Sequence, residues 1–316
     1  MKLTRLANVK SIIHQFYMYL SVINYLCKMK RLIFGFCLTI ILFSGCDEVP
    51  PFIDFSEPGK STDTSYIVTP SPPAQHKIVL IEDITGVRCV NCPSAAIKIK
   101  EIINNKTEDS VISIALYPWP GNTNNLYTLT APYDGFPIVA SDISSQIVES
   151  IGIPVGMPNG YVDRNIFAPQ TVRYNPVGNW GNLVNMRLKL TTPVNISLKK
   201  SVSGKKIAVD VKLQYTESIS GTHKFALYLI EDNIISKQAT TSGTNDNYIH
   251  NHVLRHTFDL AVGKVLTATL VPGRTFEKHY EYEASPDYKI ENCYVVCVIL
   301  NTTTEEVINV RKIALK

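Results

Sequence analysis

The apolar and polar positions along the chain change rhythm twice, and each rhythm predicts a different kind of element. Lys77 to Ile84 is a short, nearly continuous apolar run, the pattern of a buried strand, and Thr85-Gly86 closes it with a turn signal. After Pro93, residues Ala95, Ile99, Ile102 and Ile103 recur at helical spacing. Lys98, Lys100, Glu101 and Lys106 lie mostly opposite, which predicts an amphipathic helix. Val111 to Tyr117 is a second apolar run and a second buried strand, so strand, helix and strand predict a right-handed parallel crossover. The stretch 118–141 has no clean period and reads as a loop-rich insertion. Ile143, Ile147 and Ile151 then mark a second short helix, with Asp142 as its N-cap.

From Pro193 onward the rhythm becomes one of short β-rich runs. Asn195–Lys199, Lys206–Leu213, Lys224–Ile230, Val253–Leu260, Thr275–Glu283, Cys293–Leu300 and Glu306–Ile313 are separated by turn signals such as Ser203-Gly204, Ser220-Gly221 and Pro272-Gly273. Runs at that spacing predict an all-β, Ig-like sandwich. The expected organisation is an α/β domain over 77–185, carrying the insertion at about 118–141, followed by a β-sandwich domain over 190–316.

The first 76 residues read as targeting and spacing. Met29-Lys30-Arg31 and the apolar run Leu32 to Phe43 form a charged n-region and an h-region too short to span a bilayer, and Ser44-Gly45-Cys46 closes it. Small residues before a cysteine resemble the lipobox of a bacterial lipoprotein, which implies cleavage before Cys46 and acylation of its thiol. Residues 1–28 have no role in such a signal, so Met29 is the expected start. A single membrane anchor over 11–43 fits poorly, because His14, Gln15, Asn24, Lys28, Lys30 and Arg31 interrupt it. Asp47-Glu48 resembles the acidic pairs that steer Gram-negative lipoproteins, or is simply a solvated start to the tether. From there to His76 the chain is Pro-, Ser- and Thr-rich, a tether that could reach up to roughly 90 Å.

Charge narrows the partners. The chain carries 31 basic and 27 acidic residues. Six of the basic ones, Lys2, Arg5, Lys10, Lys28, Lys30 and Arg31, lie before Cys46, where there are no acids; without them 25 basic residues face 27 acidic ones. The remaining chain is near neutral and offers no basic face for nucleic acid.

Candidate chemistry concentrates at Cys89-Val90-Asn91-Cys92-Pro93, between the first strand and the first helix. At a helix start, unpaired N–H groups and the dipole favour a thiolate, and Arg88 adds a positive charge. This makes Cys89 the expected nucleophile and Cys92, one turn deeper, the resolving thiol. A static disulfide and half of a zinc site are the alternatives. Zinc needs two further ligands at tight spacing, and the next cysteines, Cys293 and Cys297, are far along the chain. Those two are four apart on one strand, on one face but roughly 13 Å apart, too far for a disulfide and suited to a core. His250 and His252 invite a metal reading if they share a strand face. With no evident third ligand, a polar loop-to-strand junction is the alternative. No cofactor and no metal is expected.

Farther along, Gly156-Met157-Pro158 precedes the short run Tyr161-Val162-Asp163-Arg164. A CxxC at a strand–helix junction, a crossover, and a later Gly-x-Pro before a strand are similar to the thioredoxin fold. That resemblance implies a cis Met157–Pro158 bond facing the cysteines, with the Met157 backbone pairing with an extended substrate; Pro154 is the other candidate. Asp83, six residues before Cys89, matches the buried acid that assists proton transfer in thioredoxins, or is a surface carboxylate at a strand end. Arg88, the Val-Asn dipeptide and Asn159 depart from the usual thioredoxin residues. With the lipobox, the tether, Thr85-Gly86-x-x-Cys89-x-x-Cys92-Pro93, the Pro158-to-Arg164 stretch, Glu231-Asp232 and Gln238, the chain resembles the outer membrane protein 28-related lipoproteins over about residues 77–316. Two functions follow as expectations. One is an outer-membrane, lipid-anchored thiol–disulfide oxidoreductase acting on a disulfide-bearing extracytoplasmic protein or peptide. The other is a surface adhesin or receptor that uses the thioredoxin fold as a scaffold.

Overall fold

The computed structural model describes residues 63–107, 109–118 and 141–316. The signal segment with Cys46, the first part of the tether and residues 119–140 of the expected insertion lie outside the described residues.

The apolar runs form the strands they predict. Strand β2 (Val79–Ile84) and strand β3 (Val111–Leu116) pair in parallel, from Val79↔Val111 to Ile84↔Leu116, with helix α1 (Cys92–Asn104) between them in sequence. Alternation decides which core each residue joins. Val79 and Ile81 pack against Ala95, Ile99 and Ile102 of α1, whereas Leu80 and Ile84 point through the sheet into a second core. Helix α2 (Ser141–Ile151) adds Ile147, Val148 and Ile151 to that second core. Strand β4 (Asn159–Val162) runs antiparallel to β2, strand β5 (Tyr174–Asn175) pairs with β4, and helix α3 (Trp180–Arg187) covers them. Gly160 is required there, since a Cβ would come within 2.6 Å of the Glu82 carbonyl oxygen and 2.7 Å of the buried Trp180 ring.

The C-terminal runs build a two-layer sandwich. One layer is a four-stranded antiparallel sheet in the order β1 (Asp63–Ile67), β13 (Arg274–Glu283), β7 (Lys206–Tyr215), β6 (Val194–Ser203). The other layer holds β8 (His223–Glu231), β14 (Cys293–Asn301) and β15 (Val307–Ala314), with the short β12 (Lys264–Val265) on β8. Strand β7 alternates buried and more exposed positions, as a sheet with one wet face should. Strand β8 is buried at every position, because Phe225, Leu227 and Leu229 face the sandwich core while Ala226, Tyr228 and Ile230 face the core shared with β2 and β3. Cys293 and Cys297 are unpaired thiols on the sandwich side of β14.

Three features go beyond the sequence-based expectation. The described residues fall in one compact unit, since β11 (Val253–Thr257) pairs with both β8 and β3 and so carries a single nine-stranded sheet through both halves. The molecule is mostly β-sheet with few helices. Part of the expected tether is built in. Residues of β1 pair with β13, Lys278 bonding Asp63 at 2.5 Å, and the following chain is pinned where Asn195 donates to the Pro73 carbonyl at 2.7 Å. Strand β1 is exposed at all five positions, so no apolar pattern marks it in the sequence.

Candidate functional site

The turn after β2 brings the two cysteines together. The Cys89 amide donates to the Gly86 carbonyl and the Cys92 amide to the Cys89 carbonyl, closing a tight loop, and α1 begins at Cys92 with Pro93 in its first turn, where a missing N–H costs no hydrogen bond. Cys89 and Cys92 form a disulfide with Cα atoms 5.4 Å apart. Both are buried, 3% and 2% exposed, while Arg88 and Val90 beside them are exposed. Met157–Pro158 is cis. Strand β4 starts one residue later with Asn159 opposite Ile84, so Pro158 borders Thr85, where the disulfide loop leaves β2. Ala168–Pro169 and Thr69–Pro70 are cis as well.

Asp83 lies on the face of β2 that carries Val79 and Ile81, under α1, the helix whose inward side holds Cys92, Ala95 and Ile99. Its Oδ1 has no hydrogen-bond partner among the described residues, and burial pushes its carboxyl up to about 8. Tyr117 and Tyr248 are near enough that its charge adds to the burial raising their hydroxyls.

A polar hairpin missed by the sequence reading covers this region. Strands β9 (Ile234–Thr240) and β10 (Gly243–His250) pair with each other and reach over the disulfide loop. Gln238, 2% exposed, donates through Nε2 to the carbonyls of Gly86 and Cys89, each at 3.1 Å, and the Ala239 amide donates to the Val87 carbonyl at 2.7 Å. In the sequence Gln238 stands out only through the family resemblance, since a polar residue so far from the cysteines carries no local sign of its contact. The two histidines do not share a strand face. His250 ends β10, buried between Tyr248 and the Tyr117 hydroxyl at 3.0 Å, with its pKa lowered by burial to about 4. His252 sits in the next turn at φ 59° against Asp232. No group of three metal-ligating side chains occurs among the described residues.

On the other face of β2 the buried charges are paired, although Arg164 Nη1 and Glu305 Oε2, 4.0 Å apart, make no hydrogen bond among the described residues. Glu82 takes two hydrogen bonds from Arg164, at 2.7 and 2.5 Å. Next to it Asp163 binds Lys77 at 3.0 Å and Arg187 at 2.8 Å, and Arg187 reaches Glu306. Asp163 and Arg164 are consecutive residues at φ 50°, a backbone that turns both side chains inward to ions from both halves of the chain.

The family described as outer membrane protein Omp28 matches residues 145–316, more than half of the chain. The chain belongs to the Omp28 family. It is accordingly an outer-membrane protein. Among the described residues no helix is long and apolar enough to cross a membrane. Among solved structures, this Omp28-family chain is similar to HBP35 of Porphyromonas gingivalis, with a TM-score of 0.59 and 16% identity over 77% of this chain and 76% of that one, a likeness of fold. A domain of the outer membrane lipoprotein Omp28 from the same organism matches 39% of this chain and 87% of its own length, with 23% identity and a TM-score of 0.29. No curated protein sequence matches the chain.

Proposed function

We propose that this Omp28-family protein is a thiol–disulfide oxidoreductase working outside the cytoplasm, anchored through an acylated Cys46. The reading includes a thioredoxin-like role for residues 77–185. Asp83 is the observation that carries it. A buried carboxylate oxygen with no hydrogen-bond partner among the described residues costs folding free energy and returns none as a contact, whereas a proton acceptor behind a cysteine pair has a chemical use. In the reducing direction, the Cys89 thiolate attacks one sulfur of a partner disulfide and expels the other as a thiolate. Cys92 then loses its proton to Asp83 and attacks the Cys89 sulfur. The second partner sulfur leaves, two electrons have passed to the partner, and the Cys89–Cys92 disulfide remains for an extracytoplasmic thiol donor to reduce. The Met157 backbone, before Pro158, pairs with the extended partner.

A Cys92→Ser protein lacks the resolving step, so a mixed disulfide through Cys89 should accumulate, and Cys89→Ser should form none. The purified pair should titrate reversibly against glutathione buffers in the range of about −120 to −270 mV. A pair that stays oxidised throughout, with no adduct from Cys92→Ser, defeats the proposal. The anchor is tested separately: Cys46→Ala should abolish fatty-acid labelling, and labelling that persists sinks that part alone.

The burial of both cysteines, with Gln238 bonded to the Cys89 carbonyl, favours a second reading, a surface-binding lipoprotein in which the disulfide is a static staple. The same titration separates the two.

A further inference from the structure

Between α1 and the β9–β10 hairpin lies a groove of about 680 Å³, within the size range of ligand clefts. Its floor is the helix-facing side of β3, where Ser113 and Ala115 lie beside Asp83. Two buried polar atoms face it without a hydrogen-bond partner among the described residues, Asp83 Oδ1 and Ser113 Oγ; the residues are 3% and 2% exposed.

The edge of β3 is the second observation. In a parallel ladder, successive residues turn their N–H and C=O to opposite edges. The bonds from Val79 N to Ser110 O and from Thr85 N to Leu116 O direct the even-numbered residues of β3 toward β2. The bond from Ala115 N to His252 O directs the odd-numbered ones toward β11. Pairing with β11 is confined to Val253↔Ala115. No strand among the described residues therefore pairs with Ser113 on that side, so among those residues its N–H and C=O are left at an unpaired sheet edge beside the groove.

The walls set the chemistry of an occupant. Asn245, Asn247 and Asn251 bring side-chain amides; the Asn245 and Asn251 oxygens already accept from the backbone amides of Asn247 and Asn233, and the NH2 groups can donate to peptide carbonyls without net charge. Ile97 on α1 and Ile249 on β10 stand at the rim, 61% and 51% exposed, and offer apolar contacts on both sides. His252 is held by Asp232, which leaves Lys100 as the cation of the lining.

We propose that this groove docks an extended, uncharged segment of another protein, which adds as a strand to the free edge of β3 and packs its side chains between Ile97 and Ile249. Sheet edges recruit strands in this way, the backbone supplying affinity and the walls specificity. The site needs no electron transfer, so it stands whether or not the cysteine pair is redox-active.

A random display library of uncharged heptapeptides, selected on the full chain, provides the probe. Selected peptides should bind at least tenfold more weakly to Ile97→Glu/Ile249→Glu, whose changes lie on exposed positions and should leave the circular dichroism spectrum unaltered. Bound peptide should slow hydrogen exchange at the Ser113 amide. The proposal is overturned if no peptide is selected, if selected peptides bind the double variant equally well, or if protection appears elsewhere. Self-association of the full chain that the double variant abolishes would make a second copy the occupant, and would overturn it too.

Discussion

Glu82 and Asp83 stand side by side on β2 with their carboxyls on opposite faces of the sheet. Glu82's face is where the two halves of the chain join, and there each buried charge meets another: Glu82 with Arg164, Asp163 with Lys77 and Arg187, and Glu305 with Lys224 at 2.7 Å. On Asp83's face, under the helix that carries Cys92, one carboxylate oxygen of Asp83 and the Ser113 hydroxyl are buried with no hydrogen-bond partner among the described residues. Paired burial repays desolvation locally and fastens segments far apart in sequence. Unpaired burial has no such return, so a structural role accounts for Glu82 and not for Asp83.

The two faces should respond oppositely to mutation. Arg164→Ala leaves Glu82 buried and unpaired, and should cost about 3–5 kcal/mol in denaturant unfolding. Asp83→Asn should do the reverse, with a pH signature. The folded carboxyl is pushed up to about 8 from an ordinary value of 3.8. Between those values the folded protein holds a proton that the unfolded chain has released, so wild-type stability falls as pH rises and levels off above about 8. Relative to Asp83→Asn, wild type should lose about 1.4 kcal/mol per pH unit between pH 5 and 7. Parallel stability curves for the two proteins would mean that Asp83 is solvated, and the contrast would collapse.

The hairpin is the smallest lever. Gln238→Ala removes the donors to the Gly86 and Cys89 carbonyls and should cost about 1–2 kcal/mol. It should also speed alkylation of reduced Cys89 several-fold. An unchanged rate would show that Gln238 does not control access to the thiol.

Much of the scaffold around this contrast was legible in the sequence. The apolar runs at 77–84 and 111–117, and the helical spacing from Ala95, correspond to β2, β3 and α1, and Cys89 and Cys92 sit at the junction the turn signal marks. Strands β7, β13 and β14 follow the β-rich runs closely. The hairpin over the cysteines was not legible, since its strands are polar and its contact with Gly86 spans 152 residues. Strand β1 was missed for the same reason, and its partner β13 lies some 200 residues away.

What the sequence determined by itself is what short-range physics writes: which runs extend, which coil, which thiols lie three apart at the start of a helix. Periods of 2 and 3.6 are properties of neighbouring residues, so they survive without knowledge of the fold. The tertiary structure alone decided that one sheet passes through both halves, that Gln238 closes over the disulfide loop, and that Glu82 finds Arg164 while Asp83 Oδ1 finds no partner among the described residues. Solvation and pairing of a buried group depend on whichever distant segments surround it, and nothing in the local pattern around Glu82-Asp83 separates one carboxyl's surroundings from the other's.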